Sequence, residues 1–414
     1  MRKPKDWGQP CPNPECAHYR RLQQGNVSAI ATYLTQSGKR RIFRCSTCAM
    51  PFSETRETVF FDLRTPEEKV MMALKMLLVR VDLTGIGFVL GVTEQTVLAW
   101  LRRAAHKADE INRHLLRDLP VTQVQLDEMW NFIERKHAQQ CAPDGESLPQ
   151  STDGRQWIWI SYAPEFRLML AAFVGPRTSH SALTLIAMTA AVVTGIPCFF
   201  SDGFSCYLAA LVAVYHQITE FARTGKRGRP RKPMIEPHPD LVYAQVVKQK
   251  VHGRLHTLTQ RVRCGTTRLA QLGLTISTSL IERLNLTLRH TLAPLVRKSG
   301  SFCKDREHLR RRVVFFQAFY NFARPHQSLR VELCDRAPVR SGLIRPKWQQ
   351  RTPGMAAGLT DHVWTFRELL TAKFEPILNQ KGVALFRRHS LDDFQVRLPA
   401  STLCGAGLGD RAQT

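Results

Sequence analysis

Two sets of side chains in this sequence have the types and spacing for metal chemistry. The first is sulfur. Cys11 and Cys16 form a Cys-x4-Cys pair, and Cys45 and Cys48 form a Cys-x2-Cys pair. Between them lie "NVSAIATYLT" and "KRRIFRCSTC", two strand-like runs around the polar turn "QSGK". Four thiolates in two close pairs joined by a hairpin suit tetrahedral Zn2+. So short a segment buries too little apolar surface to fold unaided, so the metal supplies its folding energy. His18 is a reserve ligand, and four unrelated buried cysteines are the bland alternative.

The second set is oxygen. Asp127 falls within a β-rich run, "VTQVQLDEMWNFIER", and Asp202 at the polar tip of "IPCFFSDGFSCYLAALVAVY". Glu282 opens the helix-like "TSLIERLNLTLRHTL". There Ile281, Leu284, Leu288 and Leu295 make an apolar stripe, and Glu282, Asn285 and Arg289 follow on an adjoining face. Strand ends and the helices beside them are where α/β sheets collect chemistry. Carboxylates that converge beside a polyanion repel it unless a hard cation bridges them, which points to Mg2+ or Mn2+. Two such ions can activate a water or a 3′-hydroxyl and stabilise the leaving oxygen. A solvated helix-cap acid is the alternative for Glu282. Strand alternation puts Glu128 on the face opposite Asp127, outside that chemistry.

The polyanion follows from charge. Lys and Arg number 59 against 34 Asp and Glu, a formal net charge of +25. Nucleic acid is the first candidate partner and an anionic membrane surface the second. The chain opens on "MRKPKDWGQPCPNPEC", which is no secretory signal. Ala182 to Phe200 is uncharged, but Gly195 and Pro197 break it, so it reads as a buried helix and strand, not a membrane span. Eleven cysteines, an odd number, with no export signal suggest a reducing cytoplasm.

With 414 residues the chain is long enough for two or three domains. After the Cys-rich segment, "TPEEKVMMALKMLLVR" predicts a helix capped by Thr65 with Pro66 at its first position. "DLTGIGFVLGVTEQTVLAWLRRAAHKA" predicts a short helix ending at Gly91 and a second capped by Thr93, with Val97, Leu98 and Leu101 inward. This spacing suggests a helix-turn-helix, in which Glu94, Gln95, Thr96, Trp100, Arg102 and Arg103 face DNA. An ordinary helical hairpin is the alternative. Further on, "QWIWISYAP" and "FRLMLAAFVG" predict a hairpin turning at Pro164, followed by a helix over 180–193. Strands mixed with flanking helices give an α/β fold.

"QLDEMW", "FSDGFSCY", "IERLNLTLRHTLAPLVRKSGSF" and "FYNFARPHQSL" together resemble the DDE transposases of short bacterial insertion sequences. More narrowly, the chain is similar to the group in which a zinc-binding segment and a helix-turn-helix precede the catalytic domain. The resemblance covers about residues 10–330. It implies an RNase H-like catalytic fold with a metal-bound triad on Asp127, Asp202 and Glu282. Asn285 and Arg289 match the polar positions after that family's glutamate, and Arg324, Pro325 and His326 match its "YNF-RPH-SL" segment. It also implies duplex DNA as partner, a homo-oligomer on that DNA, and a place on the bacterial nucleoid. The domains expected are a zinc segment (1–60), a helix-turn-helix domain (61–118), the catalytic domain (119–335) and a C-terminal segment of unassigned role (336–414).

Eighty residues separate Asp202 from Glu282, which suggests a basic insertion near 222–260. It contains "TGKRGRPRKP", whose Lys226, Arg227, Arg229 and Arg231 resemble an AT-hook core for a narrow minor groove. A basic loop that touches only phosphates is the even alternative. For the whole chain the competing functions are a non-catalytic DNA-binding regulator, and an RNase H-like nuclease on RNA or branched DNA.

Overall fold

The computed structural model describes residues 7–133, 155–221, 232–252, 254–297, 300–333 and 347–376. Near the N-terminus β1 (Val27–Thr35) and β2 (Gly38–Cys45) pair antiparallel through a tight turn, and β3 (Pro51–Ser53) adds beside β2. Phe43 and Phe52 fill the small core, their rings 5.9 Å apart. Helix α1 (Glu67–Leu77) starts one residue later than expected: Pro66 is the N-cap residue and no side chain caps it. Helix α2 (Leu83–Leu90) is capped by Asp82, whose carboxylate accepts from the Gly85 N–H at 2.7 Å. It ends at Gly91, whose left-handed φ of 59° favours glycine. Thr93 then caps α3 (Glu94–Leu115), and the two helices turn through 107°.

A six-stranded mixed sheet carries the rest. Its strands are β4 (Gln123–Phe132), β5 (Arg155–Ala163) and β6 (Leu168–Gly175), then β7 (Cys198–Ser201) after helix α4 (Ser179–Ala190). Helix α5 (Cys206–Val214) follows, then a separate hairpin of β8 (His216–Thr219) and β9 (Met234–Pro237). β10 (Val242–Val251) and β11 (Arg254–Cys264) complete the sheet, in the order β11-β10-β7-β4-β5-β6. β7 runs parallel to both β4 and β10, and the other neighbours are antiparallel. This mixed α/β sheet is consistent with the RNase H-like expectation. The described part of the supposed insertion, from residue 232, is largely strand, and β10 lies in the core beside β7. Leu241 to Val246 is buried without a break, as on a strand flanked on both sides, and the cations of β10 begin only at Lys248.

Helices α6 (Thr266–Leu272), α7 (Ser279–Thr291) and α8 (Arg306–Ala318) follow. Thr189 of α4 bonds Ser161, while the next residue, Tyr162, meets the Tyr320 hydroxyl, so helices cover both faces. α8 packs against β6 and α3 and so joins the helical region to the sheet. Asn321 closes the outer edge of β6: its side chain accepts from the Met169 N–H at 3.0 Å and donates to the Met169 carbonyl at 2.9 Å. The "YNF" run thus has a structural task.

The stretch past Arg330 holds a small ladder of β12 (Val331–Glu332) and β13 (Trp348–Gln349), then α9 (Pro353–Ala356) and α10 (Phe366–Thr371). Thr365 and Glu368 form a capping box on α10. This element docks on the Cys-rich segment: the Val59 N–H donates to the Leu370 carbonyl at 3.1 Å, and Lys373 donates to Gln9 at 2.6 Å. Among the described residues no single helix is long and apolar enough to cross a membrane.

Candidate metal and nucleic-acid site

β7 pairs with β4 only as far as Leu126↔Ser201, yet β4 runs on to Phe132 beside β5. The edge of β4 from Asp127 onward is therefore open, and Asp202 follows β7 directly into that gap. Side chains from either face of β4 can curl around an open edge. Asp127 and Glu128 do so, Asp202 meets them from just past β7, and one carboxylate oxygen of each lies within 4.8 Å of the others.

Asp127 faces α7, where Asn285 donates to its Oδ2 at 2.5 Å. Its other oxygen accepts the Glu128 backbone N–H at 3.0 Å. Asp202 Oδ1 accepts the Phe204 N–H at 3.0 Å. Burial, then the charges of Asp202 and Glu128, pushes the Asp127 carboxyl up to about 7. Burial and then Asp202 push Glu128 up to about 7 as well. Three carboxylates crowded at one strand edge, with Asp202 raising the proton affinity of both Asp127 and Glu128, are the donor set a hard divalent cation satisfies.

Glu282 is held differently. α7 is anchored because Gln125 of β4 accepts the Ile281 N–H at 2.9 Å. That places Glu282 in the wall of a cavity of about 620 Å3 that Asp127, Glu128, Asn285, Arg289 and Arg297 also line. Its carboxylate pairs with Lys248 of β10 and accepts the Thr278 hydroxyl at 2.7 Å. It is not among the three carboxylates that meet at the edge of β4.

The four cysteines meet. Cys11 and Cys48 sulfurs are 3.6 Å apart, Cys16 and Cys45 sulfurs 3.8 Å, and all four lie within 4.8 Å. Tetrahedral Zn–S bonds of about 2.3 Å require sulfur–sulfur edges of roughly 3.8 Å. Burial raises the Cys45 thiol, but N–H bonds from Cys48 and Thr47 and the Asn26 amide outweigh it and bring it down to about 6. The donor set fits zinc.

The expected DNA contacts divide. Gln95 and Arg102 are exposed on α3. Trp100 is 2% exposed, which corrects its placement toward a groove: it lies one turn from Val97 and Ala104 and belongs to the same apolar stripe. Arg103 is half-buried and donates to the Phe61 carbonyl, so it braces α3 in place of meeting phosphate. Asn285 holds Asp127. Arg289 reaches toward the Trp130 and Leu295 carbonyls at 3.5 and 3.4 Å and lines the cavity. Lys226, Arg227, Arg229 and Arg231 lie outside the described residues.

Strand alternation sets Glu128 apart from Asp127, and the structure corrects this: its carboxylate meets those of Asp127 and Asp202 at the open strand edge. Sequence reasoning passes over Arg177, Tyr207 and Lys248. Glu128 and Tyr207 stand inside "QLDEMW" and "FSDGFSCY", but no spacing rule joins residues from β4, α5 and β10.

The sequence matches no established family profile and no curated protein. Structural likeness is to the Mos1 Strand Transfer Complex, at 14% identity over 33% of this chain and 51% of that one, with a TM-score of 0.14. A Mos1 transposase paired-end complex with the left transposon end matches at 13% identity over 35% and 55% of the two chains, with a TM-score of 0.15. The chain thus spans about half the length of these structures. TM-scores this low do not establish a common fold.

Proposed function

We propose that the chain is a DDE-type DNA transposase that cuts and joins DNA strands at the ends of an insertion sequence. The observation that carries this is the convergence of Asp127 and Asp202 at the open edge of β4, with Glu282 lining the adjoining cavity, in a chain of net charge +25. Asp127, Asp202 and Glu282 would hold Mg2+ or Mn2+, which when bound activates a water or 3′-hydroxyl and stabilises the leaving oxygen. Asn285 fixes the rotamer of Asp127. Glu282 is paired with Lys248 in the metal-free protein and would hold the cation through the same carboxylate, and Lys248 would supply positive charge for phosphate. Arg289 and Arg297 supply positive charge along the cavity.

DNA would be gripped at three places. The 107° turn between α2 and α3 lies within the roughly 90–120° of helix-turn-helix pairs and leaves Gln95 and Arg102 exposed. Beyond Gln245↔Ser201, β10 and β11 continue as a two-stranded ribbon with exposed Lys248, Arg254 and Arg261 and no acid from Val242 to Cys264. A ribbon of two strands fits a major groove. The third is the basic run 224–233. The four cysteines would hold structural Zn2+, and the protein would act as a homo-oligomer on DNA, in the bacterial cytoplasm.

The test is a strand-cleavage and strand-transfer assay with Mg2+ and the DNA ends that flank the coding sequence. The parent cuts and joins. Asp127→Asn, Asp202→Asn and Glu282→Gln should each lose activity by orders of magnitude and keep DNA binding. A parental rate in any of the three removes that residue from the triad, and in all three removes the function.

A further inference from the structure

Alternation along β4 makes Glu128 a bystander, yet its surroundings are those of a built position. Its side chain is 1% exposed. Oε1 accepts from Arg177 twice, from Nε at 3.0 Å and Nη2 at 2.6 Å, and Oε2 accepts the hydroxyl of fully buried Tyr207 at 2.9 Å. A carboxylate this buried is costly unless paired, and removing it would be simpler if only packing mattered.

The clamp reaches both aspartates. The backbone N–H of Glu128 binds Asp127 Oδ1, and the Arg177 guanidinium stacks 4.3 Å from the ring of Phe204, whose N–H binds Asp202 Oδ1. Arg177 also covers Trp157 at 4.8 Å, which fixes the guanidinium between two rings. Glu128 brings a third negative charge within 4.8 Å of the other two, with its counter-charge set behind it.

We propose that Glu128, held by Arg177 and Tyr207, is a positioning residue that sets how tightly Asp127 and Asp202 bind a divalent cation. This rests on the reading that those aspartates hold the cation. Both Glu128 oxygens are already engaged by the protein, so it acts through its charge and through the N–H bonds on its neighbours, without coordinating. Arg177 moderates that charge. Removing Glu128 therefore weakens cation binding, and removing Arg177 does not.

The experiment measures Mn2+ binding by the full chain, reading free Mn2+ by electron paramagnetic resonance, with thermal melts to check folding. Glu128→Gln keeps the size and one acceptor for Arg177, and should raise the Mn2+ dissociation constant tenfold or more. Its strand cleavage should recover as Mn2+ is raised. Tyr207→Phe keeps the charge and should shift binding less than threefold. Arg177→Met should bind Mn2+ as tightly as the parent or more tightly. Folded Glu128→Gln with a dissociation constant within twofold of the parent overturns the proposal. So does weaker binding by Arg177→Met, because a purely structural clamp fails whichever partner is removed. If Glu128→Gln does not fold, the Arg177→Met result decides alone. Asp127→Asn separates the two ideas: Mn2+ binding at parental strength there defeats the cation reading itself, whatever Glu128 does.

Discussion

Replacing Asp127 by asparagine should stabilise the metal-free protein at neutral pH while abolishing its response to divalent cations. Burial and the neighbouring acids hold the Asp127 carboxyl at about 7 in the folded state, against an ordinary 3.8. Between those values the folded chain keeps a proton that the unfolded chain has released. Stability therefore falls as pH rises from about 4 to about 7 and levels off above that. A displacement of about 3 units at about 1.4 kcal/mol each puts the ceiling near 4 kcal/mol. Glu128, also pushed up to about 7, titrates with Asp127 and shares that cost, so a gain of roughly 2–3 kcal/mol is expected. Asparagine keeps the shape and still accepts from the Asn285 amide. Thermal melts in chelator at pH 7.5 should show Asp127→Asn melting about 4–8 °C above the parent, and the difference should shrink toward zero by pH 4. Added Mn2+ should raise the parent's melting temperature and leave the variant unmoved, because only a ligand that binds the folded state shifts it. A variant that melts below the parent in chelator at pH 7.5, or one that Mn2+ stabilises equally, refutes this account of the site.

Cys45→Ser should lower bound zinc and expose residues 10–50 to proteolysis while the six-stranded sheet stays folded, since the four sulfurs close a core built on little beyond Phe43 and Phe52; unchanged zinc content would remove the site. Neutralising Lys248, Arg254 and Arg261 together should reduce the slope of log affinity against log salt for duplex DNA by roughly 3, about one for each cation taken off the phosphates; an unchanged slope takes the ribbon off the DNA. Lys248→Met should leave Glu282 free of its ion pair and lower the Mn2+ concentration needed for half-maximal cleavage; a higher requirement would mean that Lys248 supports the site directly. Trp100→Ala should cost about 3–5 kcal/mol of stability, as expected for a fully buried aromatic, with loss of DNA binding only in step with unfolding; a folded, stable variant with selective loss of binding would restore Trp100 to the interface.

Much of this is legible in the residues. The paired cysteines name their own cluster because a hairpin with sulfur at both ends has few other ways to close. Thr93 and Gly91 mark the end of one helix and the start of the next, because a left-handed cap and a side-chain cap leave local signatures. The leucine stripe of α7 and the exposed tip after β7 are likewise local facts. Trp100 is misplaced by the sequence because an amphipathic residue on a helix next to arginines reads equally well as a DNA-facing group or as core, and only the packing of α3 against its neighbours decides.

The sequence alone determined the chemistry available: which carboxylates and thiols could bind metal, and that the chain carries enough positive charge to suit a polyanion. Tertiary structure alone decided which of them meet. β7 stops pairing at Ser201, so the edge of β4 is open at Asp127, and Glu128 joins the gap from the other face. β10 brings Lys248 to Glu282 across thirty-four residues of chain. Such convergences depend on where strands end and on contacts between distant segments, and a local pattern of residue types carries no information about either.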